Sequence, residues 1–517
     1  MIVRSKIKPG AYYDSIKLML AASELRELEG LEDTAIVMAT PANKAILEEA
    51  GLLSPEAAAA TANDLVIAVR TAESADVADA ALQHAETLLA AEQRSEGSSQ
   101  PFRPKTIRSA VRAEPSANMA VISVAGRYAA DEAREALAQG LHVLLFSDNV
   151  SITDEADLKV TAREKGLLLM GPGAGTALLN GVALGFANVV PVGPVGIVSA
   201  AGTGLQEVSS LLARYNVGVS QGIGVGGRDL SGLVGGIMML EALKALQADP
   251  ATSIVILISK PPAADVAQKI LTQVAASQKP TIVCFMGGNP GLVEGVANAV
   301  YAGTLAEAAL LAANRAGVNA ELVPPENLTQ MARTWRARLQ PGQRYLRGLF
   351  SGGTLCYEAQ VVWRELLGEP VWSNAPLDEN LQLPDSTVSR GHTAVDLGEE
   401  EFTVGRLHPM MDNELRLRRL QQEAQQPDVA VIMLDVVLGY GAHPDPASEI
   451  GPAVAEARAA ASEAGREVVV VASVTGTAGD PQDYGQQVAA LEQAGVLVGP
   501  NNAEAARLAA LIVKELG

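Results

Sequence analysis

Cysteine is scarce: the 517 residues hold two, Cys284 and Cys356. Two thiols build no disulfide framework and no metal-ligand spacing, so the sequence predicts a protein of a reducing, cytoplasmic compartment with no metal site. Aromatic residues amount to 3%, against 48% apolar residues overall. A core of small aliphatic side chains suits parallel sheets under closely packed helices. No stretch approaches the roughly 20 apolar residues of a membrane helix. The opening Met1-Ile2-Val3-Arg4-Ser5-Lys6 has no signal-peptide pattern. Positive charge is in deficit, with 39 Lys and Arg against 59 Asp and Glu and a net charge of −20. That balance argues against nucleic acid or a membrane surface as the partner. No G-x-G-x-x-G follows the early strands with an acidic residue about 20 positions on, which argues against a dinucleotide oxidoreductase.

What is present is alternation. Strand-like runs and helical patterns succeed one another almost throughout, the mark of repeated βαβ units. The predicted class is multidomain α/β. The polar stretch from Glu92 to Lys105 reads as a linker, and Asn319 to Gln343 as a second boundary. The expected division is an N-terminal α/β unit with its linker at 1–105, a Rossmann-like unit at 106–189, and two further α/β units at 190–325 and 326–517. Pro370 to Arg406 reads as an irregular polar segment.

Two small-residue turns carry the functional signal. Ser199-Ala200-Ala201-Gly202-Thr203-Gly204 follows the apolar run from Val195, and Ser351-Gly352-Gly353-Thr354 follows Tyr345 to Phe350. Each opens a helical stretch. A helix N-terminus presents unpaired N–H groups and partial positive charge, a ready site for phosphate. The expectation is a phosphate held by Ala201, Gly202, Thr203 and Gly204 from one side and by Gly352, Gly353 and Thr354 from the other. The same glycines would also serve simple helix–strand packing. Cys356, just inside the second helix, reads as structural.

These segments resemble the succinyl-CoA synthetase superfamily. The run from Val195 to Thr203 looks like the alpha-subunit turn at the first phosphate-facing helix, and residues from Gly352 onward look like the ligase domain of the beta subunit. Thr40-Pro41-Ala42-Asn43-Lys44-Ala45, Phe146-Ser147-Asp148-Asn149-Val150, Gly226-Gly227-Arg228-Asp229-Leu230-Ser231, Ser259-Lys260-Pro261-Pro262, and Thr403-Val404-Gly405-Arg406 with His408-Pro409-Met410 are similar to the FdrA branch. The resemblance implies a Rossmann-like CoA-binding-type domain followed by two flavodoxin-like ligase domains. It also implies a subunit of an oxamate carbamoyltransferase of allantoin breakdown, working with two other subunit types. The alternatives are an acyl-CoA synthetase and a non-catalytic scaffold subunit.

Two departures from the superfamily stand out. Its ligases pass phosphate through a histidine that would follow the strand ending at Phe285, where this chain has Met286-Gly287-Gly288-Asn289-Pro290-Gly291. The segment Lys8-Pro9-Gly10-Ala11-Tyr12-Tyr13 has one glycine where a CoA turn uses several, which counts against CoA as a cofactor. Phosphate and carbamoyl phosphate are then the expected small molecules. Arg228 is the expected carboxylate clamp, with an ion pair to Asp229 as its plainer role. Lys260 stands where open α/β sheets deliver ligand-binding residues. Arg406 and His408 are expected to polarise the carbonyl or protonate the leaving nitrogen. His443 reads as turn chemistry.

Overall fold

A computed structural model describes residues 2–11, 15–26, 28, 30–62, 64–95, 104–322, 324–403 and 406–514. Residues 96–103 of the expected linker, Tyr12, Tyr13, Val404 and Gly405 lie outside them. The chain divides into two units, Met1–Pro104 with Glu400–Leu407, and Lys105–Glu399 with His408–Gly517.

The first unit carries a three-stranded antiparallel sheet of β1 (Ile2–Lys8), β2 (Asp33–Met38) and β3 (Leu65–Thr71), with β3 central. Its core includes Leu65, Ile67 and Val69 on one face of β3 and Val66 and Ala68 on the other. That is the double-sided apolar pattern of a central strand.

The second unit holds three sheets. β4 (Met119–Ile122), β5 (His142–Leu145) and β6 (Leu169–Met170) form a small parallel sheet. β7 (Thr176–Leu179), β8 (Val182–Gly185), β9 (Val192–Ser199), β10 (Val219–Gly224), β11 (Ile254–Ser259), β12 (Thr281–Phe285) and β13 (Ala299–Tyr301) form a seven-stranded sheet in the order β13-β12-β11-β9-β10-β7-β8. The last sheet is parallel throughout. It joins β14 (Tyr345–Phe350), β15 (Val371–Ser373), β16 (His392–Asp396), β17 (Val429–Val437), β18 (Val469–Thr475) and β19 (Leu497–Gly499) in the order β15-β16-β14-β17-β18-β19. Parallel sheets are covered on both faces, and β11 and β17 are accordingly buried at every position. The α/β multidomain class is therefore the architecture of the chain.

Several local details go beyond the sequence pattern. Gly222 and Gly224 lie inside β10, where β7 passes too close for a side chain at the second: a Cβ on Gly224 would stand 2.4 Å from the Thr176 carbonyl oxygen. The seven-stranded sheet recruits β7 and β8, which precede residue 190. The polar segment 370–406 hides β15 and β16, whose few apolar residues are diluted by polar flanks. Asn319–Gln343 contains a helix, Pro325–Arg336.

Gly224→Ala is expected to lower stability by about 1–3 kcal/mol through overpacking against backbone. A urea unfolding curve with an unshifted midpoint would contradict this close approach.

Candidate functional site

β9 and β14 are the inner strands of their sheets, and each ends in one of the two small-residue turns. The first turn leads into the helix Gly202–Arg214 and the second into the helix Gly353–Leu367. Neither helix has a side-chain cap, so the N–H groups of its first turn keep their donors free. The structure brings the two turns into contact. A Cβ on Gly352 would stand 2.8 Å from the Thr203 methyl carbon, and one on Gly204 would stand 3.0 Å from the Thr354 methyl carbon. Glycine at these two positions is what lets the ends meet.

The two ends are not equivalent. In the second turn, Asp435 of β17 accepts from the Ser351 N–H at 2.7 Å and the Gly352 N–H at 2.7 Å. Gly352 is thus already engaged, and its N–H is not a phosphate donor as expected. Arg416 pairs with Asp435 at 3.1 Å. Both groups are buried, which pushes the Asp435 carboxyl up while the arginine opposes that shift. In the first turn the Ala201 N–H donates to Ser199 Oγ at 3.1 Å, so Ala201 is likewise engaged. The donors left at the first end are those of Gly202, Thr203 and Gly204, and at the second those of Gly353 and Thr354.

Asp396, at the end of β16, was not singled out by sequence. Its carboxylate lies against Gly353: a Cβ there would stand 2.4 Å from Oδ2. Oδ1 accepts from the Gly398 N–H at 2.9 Å. Burial, with the nearby Glu399 charge, raises this carboxyl to about 7, opposed by the Gly398 N–H and by Lys260. The signal available in the sequence was an acid closing an apolar strand, Thr393-Ala394-Val395-Asp396, ahead of a glycine. A short strand inside a polar segment concealed it.

Lys260, after β11, reaches the same place. Its ammonium lies 5.0 Å from the Tyr357 ring centroid, on the first turns of the Gly353 helix. His408 joins through Gly398, where a Cβ would stand 2.9 Å from His408 Nε2 and 3.1 Å from Asp396 Oδ1. His408 Nδ1 accepts from the Met410 N–H at 3.2 Å, leaving Nε2 to carry the proton. Burial, with the Arg416 charge, lowers this imidazole to about 4. At neutral pH His408 is a neutral hydrogen-bond donor, which leaves the polarising half of the expectation and not proton donation as an imidazolium.

Arg228 is committed elsewhere. Its guanidinium pairs with Glu155 at 2.9 Å and donates to the Val150 carbonyl at 2.7 Å. Asp229 does not pair with it but with the buried Lys159 at 2.9 Å, so Arg228 is a brace onto the small parallel sheet's unit. Arg406 belongs with the first unit, where its N–H donates to the Thr403 carbonyl. His443 Nδ1 accepts from the Asp445 N–H in a turn. Burial raises the Cys356 thiol, which removes it as a nucleophile.

Behind the turns a buried polar cluster ties the halves. Glu207 of the Gly202 helix accepts from Thr475 Oγ1 and from the Asn502 N–H at 3.1 Å. Asn502 Nδ2 donates to Glu358 of the Gly353 helix at 2.8 Å. Burial raises Glu358 from 4.5 to about 7.

With this geometry in view, the relatives fall into place. Residues 349–512 match the CoA-ligase family, residues 192–288 the CoA binding domain, and residues 1–104 the domain described as AllF, heavy metal-associated domain. The uncharacterized protein YahF of Escherichia coli (strain K12) is 44% identical over 512 residues, covering 98% of both chains. An ADP-forming succinate–CoA ligase alpha subunit 1 of Archaeoglobus fulgidus is 30% identical over 221 residues, 41% of this chain and 74% of that one. A solved dinucleotide-forming acetyl-coenzyme A synthetase 1 of Ca. Korarchaeum cryptofilum, in complex with phosphate and ADP, covers 81% of this chain and 86% of its own at 16% identity and a TM-score of 0.32. The chain belongs to the family of YahF, within the succinyl-CoA synthetase superfamily.

The CoA-type matches weigh against the expectation that sets CoA aside. The metal named for the N-terminal match does not suit the residues there. Residues 1–104 contain no cysteine and a single histidine, His84. Among the described residues no cluster of three His, Cys, Asp or Glu could hold a metal ion. A soft heavy-metal ion needs thiolate or imidazole donors that this segment lacks. Among the described residues no helix is long and apolar enough to cross a membrane.

Glu358 binds a proton in the native state that the unfolded chain releases between 4.5 and about 7. Its contribution to stability therefore falls as pH rises through that window. Glu358→Gln is expected to gain on the wild type in urea midpoint as pH rises from 4.5 to 7. A pH-independent difference would contradict the burial of this carboxyl.

Proposed function

We propose that this chain makes or consumes an acyl phosphate where the two turns meet. The observation that carries this reading is the contact of two uncapped helix N-termini, Gly204 on Thr354 and Thr203 on Gly352, at the ends of inner strands. The phosphate rests on the N–H groups of Gly202, Thr203 and Gly204, with Gly353 and Thr354 opposite. Asp396 exchanges a proton with the group that leaves or attacks, and Lys260 balances the charge that develops. His408 Nε2–H donates to the carbonyl oxygen.

The CoA-ligase and CoA-binding matches support the acyl-CoA synthetase form of this chemistry. In that form a thiol attacks the acyl phosphate and releases phosphate. One observation favours a second form that stops at the acyl phosphate. No histidine follows β12, where Met286 to Gly291 stand, so a phosphoryl relay to a nucleotide has no carrier there. Carbamoyl transfer is a reaction of that kind. A phosphate oxygen attacks the ureido carbonyl of oxalurate, the C–N bond breaks, and the nitrogen takes a proton from Asp396. The products are oxamate and carbamoyl phosphate. Two further subunit types and a cytoplasmic setting belong to this second form.

The direct assay incubates the chain, alone and with the two further subunit types, with carbamoyl phosphate and oxamate, and separately with a carboxylic acid, nucleotide and CoA. Oxalurate identifies the carbamoyl form and acyl-CoA the synthetase form. Neither product under any combination would refute the acyl-phosphate reading.

As a proton donor in phosphorolysis, Asp396 is active while protonated. The rate is then expected to fall as pH rises through about 7. Asp396→Asn should remove that limb and lower kcat by roughly 10²–10⁴-fold. A pH profile retained in the variant would assign the limb to another group.

A further inference from the structure

The end of the Gly202 helix has a third wall, formed by β7. This strand runs antiparallel beside β10. Its first residue, Thr176, therefore stands at the edge where β9 and β10 end, the side on which open α/β sheets bind ligands. Thr176 is 1% exposed, and its Oγ1 has no hydrogen-bond partner. That oxygen lies 3.4 Å from where a Cβ on Gly202 would stand, at the first residue of the helix.

A buried hydroxyl without a partner is costly, and native proteins keep few. This one sits beside helix N–H groups that also lack acceptors. Thr203 and Thr354 carry further hydroxyls on the first turns of the two helices. Hydroxyls and helix amides are donors, and a tetrahedral oxyanion is an acceptor with oxygens facing several directions. The carboxylates of the seam, Asp396 and Asp435, both lie on the Gly353 side. The side that Thr176 faces carries none of them.

We infer that Thr176 is a further phosphate ligand, donating its hydroxyl to an oxygen of the group held at the Gly202 helix. The inference rests on the phosphate reading of the seam and adds to it a residue from a strand outside both turns. Rotation about the Cβ–Oγ1 bond aims the hydroxyl proton without moving any heavy atom. The β-branched methyl meanwhile keeps its packing in the wall.

The test is calorimetric titration of the full chain with orthophosphate, in the wild type and in Thr176→Val, Thr176→Ser and Gly202→Val. A Cβ at Gly202 meets only Thr176 Oγ1, at ordinary contact distance, so Gly202→Val should fold, which circular dichroism checks. Thr176→Val is expected to bind phosphate roughly tenfold more weakly or worse, the effect of losing one hydrogen bond to a charged group. Thr176→Ser should restore affinity to near wild type. Thermal unfolding without phosphate should show Thr176→Val at least as stable as wild type, since an unmet polar group has been removed. Unchanged affinity in Thr176→Val, with binding lost in Gly202→Val, would overturn the role of Thr176 and leave the phosphate site standing. Absence of phosphate binding by the wild type would overturn the site and this inference together.

Discussion

The close approach of two helix N-termini is the constraint on which the site depends. Like ends of two helix dipoles repel, and their free amides are costly to bury. The chain brings them together by keeping Gly204 and Gly352 without side chains, so that Thr354 and Thr203 pack directly on backbone. The arrangement is then locked from behind. Asn502 donates to Glu358 on one helix, and its N–H donates to Glu207 on the other. These carboxylates and the amide are buried where helices of the two larger sheets pack together. Removing one partner from such a cluster would strand a polar group, which holds the register of the two helices.

The electrostatic problem is solved differently at each end. At the Gly353 end the protein supplies its own negative charge, with Asp435 bonded to the turn and Asp396 laid against the first helical residue. At the Gly202 end, among the described residues, no side chain caps the helix, and the wall offers the Thr176 hydroxyl. On the proposed reading, an entering anion meets free donors on the first side and a carboxyl that exchanges a proton on the second. Such asymmetry suits a reaction in which one helix binds the phosphate while the other holds the group that moves a proton.

Much of this was legible in the sequence. The alternation of apolar runs with helical patterns announced the α/β class, and the small residues after Val198 and after Phe350 marked both turns. Sequence did not reveal that the Gly352 and Ala201 N–H groups are already spent, because their acceptors, Asp435 and Ser199, are chosen by tertiary contact and local rotamer. Arg228 carried a plausible charge for a clamp, but its pairing with Glu155 links positions 73 residues apart. His408 looked like an acid until burial made its imidazole neutral. Asp396 and Thr176 were missed for one reason. Each is an ordinary polar residue at the end of a short strand, and only the sheet order places it at the seam.

A crystal structure of the chain grown or soaked with orthophosphate tests the central claim most directly. The account predicts one tetrahedral anion between the two turns, within hydrogen-bonding distance of the amides of Gly202, Thr203 and Gly204 and on the side away from Asp435. An empty seam at saturating phosphate, or an anion bound only elsewhere on the molecule, would contradict it.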